Sequence, residues 1–79
     1  MIHKLKIWPA SFVAIMDGRK TFEVRKDDRI FNEGDWLELQ EYEPELRAYT
    51  GRTTTRAVIY ILRGPAFGIE AGYVVMSIR

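Results

Sequence analysis

Seventy-nine residues make one domain, spanning residues 1–79 and close to the lower limit for a self-sufficient hydrophobic core. Hydrophobic residues make up 47% of the chain, which favours a globular fold over disorder, and the lack of cysteine excludes a disulfide framework and thiolate zinc or redox chemistry. The net charge of +1 is unevenly spread: residues 1–26 carry +4, residues 27–50 carry −6 and residues 51–79 carry +3.

Residues 3–7, His-Lys-Leu-Lys-Ile, alternate polar and apolar and predict a half-buried strand. Pro9 suits the first turn of a helix. Phe12, Ile15 and Met16 follow at i, i+3, i+4 spacing and are expected on one buried face. Asp17-Gly18 ends this helix, with glycine free to take the left-handed conformation. Residues 20–25 predict a second strand, and Asp27 to Asp35 a polar turn. Trp36 to Tyr42 alternates as a third strand, and Glu43 to Arg52, with Pro44 and Gly51, reads as a loop. Thr53 to Leu62 is rich in β-branched and aromatic residues and is expected to be the longest strand. Arg63 to Gly72 is a turn region. Tyr73 to Ile78 closes the chain as a strand with Val74, Met76 and Ile78 on one face.

The order β-α-β-β-β-β predicts a mostly β domain: a small, largely antiparallel barrel with the helix plugging one end. The first residues are charged and no long apolar run follows, so neither a signal peptide nor a transmembrane span is expected. With no cysteine, a cytoplasmic setting fits. His3 is the single histidine, so no structural zinc site is expected, and no motif implies a cofactor.

The run Gly18-Arg19-Lys20-Thr21-Phe22-Glu23-Val24-Arg25 stands out. It reads G-x-K-x-x-E-x-R. In an alternating strand Glu23 and Arg25 share a face, and Lys20 meets Glu23 if Gly18 and Arg19 turn the chain before the strand begins. Charges near a small core are seldom placed without a partner or a task. This run is similar to the signature of the activating-signal-cointegrator homology (ASCH) domains, members of the PUA-like superfamily. Flanking blocks extend the resemblance over essentially the whole chain: His3-x-Leu5-Lys6-Ile7, Phe12, Gly34-Asp35, Tyr49-Thr50-Gly51-Arg52 and Gly72-Tyr73-Val74-Val75. The pattern looks most like a short bacterial and phage subfamily.

The resemblance implies a PUA-like β-barrel with a cleft between the helix and the signature strand, and in that cleft RNA or a nucleotide-like ligand. Some ASCH domains are amidohydrolases that deacetylate acetylated cytidine. Their lysine matches Lys20, but Glu23 occupies the place of their catalytic threonine, and the nearest threonine is Thr21. Of their downstream glutamate, only Glu70 remains as a counterpart beyond the third strand.

The residues themselves leave several readings open. Lys20, Glu23 and Arg25 form either a structural ion network or a polar cleft. In the cleft, Lys20 and Arg25 would hold a phosphate or carbonyl oxygen while Glu23 accepts from a base amino group. If the protein is an enzyme, Lys20 and Glu23 are its catalytic candidates. His3 is a satisfied histidine at the barrel rim, or a ligand contact beside Glu23. Trp8, Trp36, Tyr42 and Tyr73 are expected to pack mostly in the core and barrel ends, with Trp8 the choice for a base-stacking face. Ser11, in the first helical turn, is a surface residue or an anion contact. Thr53-Thr54-Thr55 with Arg52 and Arg56 reads as an ordinary strand.

Three functions follow: a binding module for single-stranded RNA or a nucleotide-like ligand, a small amidohydrolase on a modified nucleoside, and a protein-interaction domain. The third would use the acidic segment Glu33 to Glu45 against a basic partner.

Overall fold

The computed structural model describes residues 1–79. The predicted order stands: β1 (Ile2–Ile7), α1 (Pro9–Met16), β2 (Phe22–Lys26), β3 (Trp36–Glu43), β4 (Ala48–Arg63) and β5 (Tyr73–Ile78). The strands form one five-stranded mixed sheet in the order β1-β3-β4-β5-β2. The β1–β3 ladder is parallel, and the other three are antiparallel.

Strand β4 is long enough to serve two partners. Its first half pairs with β3 through Ala57, and its second half pairs with β5 from Val58 onward. An irregularity between Val58 and Tyr60 marks the change of partner, as a bulge at the corner of a folded sheet does. The sheet curls until its two edges, β1 and β2, come within reach of one side chain. There Arg25 Nη2 of β2 donates to the Lys6 carbonyl of β1 at 2.6 Å. The expected barrel is therefore not closed by a ladder. An arginine bridges the seam, and α1 links the two edge strands across it.

Residues 43–52 are not the loop expected from Pro44 and Gly51. Only a short turn separates β3 from β4, and Tyr49 to Arg52 lie within β4. The register accounts for the difference. Gln40 pairs with Thr53 and Tyr42 with Tyr49, so three residues of β4 face Glu41 alone. Gly51 takes φ +93° in that bulge, a backbone angle open to glycine.

The core is built from the inward faces of β1, β3, β4 and β5 with Phe12 and Ile15 of α1. Val74, Met76 and Ile78 are buried on one face of β5, as their alternation predicts. Met16 departs from its helix mates and is exposed, with its sulfur accepting from Arg56 at 3.7 Å. Phe31 is fully buried inside the polar turn and meets His3 edge-on at 4.7 Å. Arg63 tethers this turn through Asp27 and the Phe31 carbonyl. Trp8 and Trp36 are exposed, Tyr73 is at the exposed margin, and Tyr42 is half-buried, so the expected aromatic core is aliphatic with two phenylalanines.

Strand β2 is inverted relative to a simple amphipathic strand. Its register sets Glu23 opposite Met76 and Arg25 opposite Val74, both inward on β5. Glu23 and Arg25 therefore face in, and Phe22 and Val24 face out.

Candidate functional site

The seam between the sheet edges widens into a cleft of about 400 Å³. The end of β1, the start of α1 and the segment from Lys20 to Lys26 line it. Gly18 turns the chain out of the helix at φ +84°, and the Lys20 amide donates to the Ala14 carbonyl at 2.9 Å. That turn folds Lys20 back over the first residue pairs of β2.

Glu23 is the centre of the site. It is 4% exposed and lies under the two cations of the signature. Lys20 Nζ is 3.4 Å from Oε1, and Arg25 Nε donates to Oε2 at 2.7 Å. Lys20 also donates to Ser11 Oγ at 3.1 Å, and Arg25 spends a second nitrogen on the Lys6 carbonyl. The two cationic side chains keep 21% and 27% of their surface exposed. The carboxylate thus holds both cations in place in the cleft lining.

Trp8 precedes the helix with an extended backbone, φ −81° and ψ 158°, and is 61% exposed at the cleft mouth. Pro9 at the first helical position has no N–H, so the Ala10 and Ser11 amides are the free donors of the first turn. Lys6 and Lys26 complete a cleft wall with a single carboxylate.

The remaining candidates lie elsewhere. His3 is buried in the core, not at the rim or beside Glu23, and its Nε2 is bonded to Asp35 Oδ2 at 2.8 Å. Asp35 also accepts from the Asn32 amide at 3.0 Å and the Met1 ammonium at 3.3 Å. The His3 hydrogen bond leads the forces that hold the Asp35 carboxyl below its ordinary range, against the opposing effect of burial. Thr53 to Thr55 pair with β3 as an ordinary strand. Glu70 lies in the loop before β5 and does not line the cleft.

The acidic segment Glu33 to Glu45 is largely engaged within the fold. Glu33 accepts from the Ile61 amide, Asp35 from His3, Glu38 from Gln40, and Glu41 from Thr50 and Arg52. Glu41 is a buried carboxylate that sequence reasoning missed. Arg52 grips both its oxygens at 2.9 and 2.8 Å, and this pair, with Thr50 adding to it, lowers its pKa.

The chain belongs to the family described as domain of unknown function DUF3850. That family's model matches residues 2–78, which includes every element lining the cleft. No curated protein matches the sequence. As a DUF3850 domain, the protein places the G-x-K-x-x-E-x-R run at the open seam of its sheet. It has no helix long and apolar enough to cross a membrane.

Proposed function

We propose that this domain binds single-stranded RNA or a nucleotide-like ligand in the seam cleft, within the cytoplasm, as a non-catalytic module. One observation carries the reading: buried Glu23 holds Lys20 and Arg25 side by side, next to an exposed tryptophan. Cations already fixed by a carboxylate lose little freedom when they take a phosphate. Ser11 Oγ adds a neutral hydrogen-bonding group, and Trp8 offers an aromatic face for the attached base. The similarity of the signature run to that of ASCH domains supports the same reading, as do the basic flanks of the chain.

The test is titration with short single-stranded RNA at two salt concentrations, read by tryptophan fluorescence. Binding should weaken with salt, and Lys20→Met should reduce the log–log salt slope by roughly 0.7 for one lost phosphate contact. A folded Lys20→Met variant that binds RNA as the parent does would rule this site out.

A second reading draws on the 3.1 Å contact between Lys20 Nζ and Ser11 Oγ. With its proton given up, Lys20 would accept from that hydroxyl instead of donating to it, and the pair would then suit hydrolysis of an amide on a modified nucleoside. Acetylated cytidine incubated with excess protein, with no cytidine formed, would remove that substrate from consideration.

A further inference from the structure

Lys6 faces two neighbourhoods. Its carbonyl takes the Arg25 bond at the cleft, while its ammonium lies 4.1 Å over the Tyr42 ring and 5.9 Å from the Tyr49 ring centre. Tyr42 and Tyr49 are directly paired across the β3–β4 hairpin, with ring centres 5.1 Å apart in an edge-to-face arrangement. Lys6 has no carboxylate within ion-pair distance, so its charge is uncompensated except by the aromatic faces. Tyr49 is 55% exposed. The parallel register ends at Ile7 with Glu41, and Trp8 follows directly with an extended backbone at the cleft mouth. From β1 to Tyr49 is two strand spacings, about 10 Å. Trp8, Lys6 and Tyr49 therefore follow one another across the outer surface from the mouth of the cleft.

We propose that this surface continues the cleft as a track for at least two nucleotides, with Tyr49 stacking the second base and Lys6 taking the phosphate between the two. The proposal rests on the nucleotide reading of the cleft and makes a polymer, rather than a free nucleotide, the ligand. A cross-strand tyrosine pair also stabilises a hairpin, whatever it binds. The two roles separate by ligand length. A purely structural pair affects mononucleotide and dinucleotide binding alike, whereas a stacking platform affects only the dinucleotide.

The experiment compares uridine 5′-phosphate with the 5′-phosphorylated uridine dinucleotide, using the full chain and isothermal titration calorimetry. The dinucleotide should bind about tenfold more tightly, the gain expected from stacking one more base. Tyr49→Leu keeps apolar contact with Tyr42 and removes the aromatic face. It should remove most of the gain and leave mononucleotide affinity unchanged, with an unaltered circular dichroism spectrum. Lys6→Met should lower the salt slope for the dinucleotide only. Equal affinity for both ligands, or an undiminished gain in folded Tyr49→Leu, overturns the track and leaves the cleft reading standing. If neither ligand binds, the cleft reading fails and the track fails with it.

Discussion

Replacing Arg25 with methionine tests whether one side chain fastens the open seam. In the native protein its guanidinium makes two charged hydrogen bonds, 2.7 Å to Glu23 and 2.6 Å to the Lys6 carbonyl. A hydrogen bond involving a charged group contributes about 1.5–3 kcal/mol. Partial exposure of Arg25 argues for the lower end for each, so the expected loss is about 3 kcal/mol. A 79-residue domain has a total stability of about 4–12 kcal/mol, so this change takes a large share of it. At about 4–8 °C per kcal/mol, the Tm should fall by roughly 15 °C. Thermal melts and urea titrations of Arg25→Met, Glu23→Gln and the double variant separate the two bonds. The cycle should show a Glu23–Arg25 coupling of about 1–2 kcal/mol, and the remaining loss belongs to the seam contact. Arg25→Lys keeps the charge but cannot span both acceptors, so it should recover less than half the loss. Amide exchange in β1 and β2 should accelerate in Arg25→Met ahead of β3 and β4. Coupling below about 0.5 kcal/mol, with edge-strand exchange unchanged, would refute the fastening role.

Acid should destabilise the protein through Asp35 and Glu41. The pKa of each is depressed in the fold, by His3 first for Asp35 and by Arg52 first for Glu41. Their stabilisation is therefore complete above the ordinary carboxylate values of about 4 and is lost as pH falls through the lowered folded values. Melts at descending pH should show Tm dropping below about pH 4, and Asp35→Asn should be less stable at pH 7 with a shallower acid limb. Parallel acid limbs for parent and variant would contradict the assignment. Phe31→Ala should cost about 3–5 kcal/mol in urea unfolding, because its ring is wholly enclosed. A loss under about 1 kcal/mol would mean the turn is not part of the core. Gly64→Ala should fold poorly or not at all, since an added Cβ would fall 1.8 Å from the Glu70 carbonyl oxygen. A parental melting curve for that variant would disprove the close approach.

Local periodicity made β1, α1 and β5 legible in the sequence. His3, Leu5 and Ile7 alternate inward, Pro9 starts the helix, and Val74, Met76 and Ile78 face the core. What remained illegible depends on partners distant in the chain. Phe31 sits among Asp27, Asp28, Arg29 and Asn32, and this polar neighbourhood disguises a residue that is fully buried against His3. Glu41 falls on the Leu37–Leu39 face of β3, where a carboxylate reads as an error in alternation. Its arginine lies 11 residues on, reachable only because the β4 bulge inserts Arg52 opposite it. Pro44 and Gly51 read as the ends of one loop, yet Pro44 falls in a short turn and Gly51 in the bulge that follows.

The same distinction divides the candidate site. Lys20, Glu23 and Arg25 lie within six positions of one another, so a turn followed by strand alternation was enough to bring them together. Their inward orientation was not decided by their own strand. A segment with Phe22 and Val24 on one face and Glu23 and Arg25 on the other would bury the apolar face if hydrophobicity alone set its register. The ladder to β5 sets the opposite choice, because Met76 and Val74 must face the core and carry Glu23 and Arg25 in with them. The buried carboxylate is tolerable there only because both flanking cations reach it while keeping contact with water. An edge strand beside an unclosed seam offers that combination: depth for the acid and an exit for the bases. The features that leave the barrel open are thus the ones that give the cleft its fixed pair of cations.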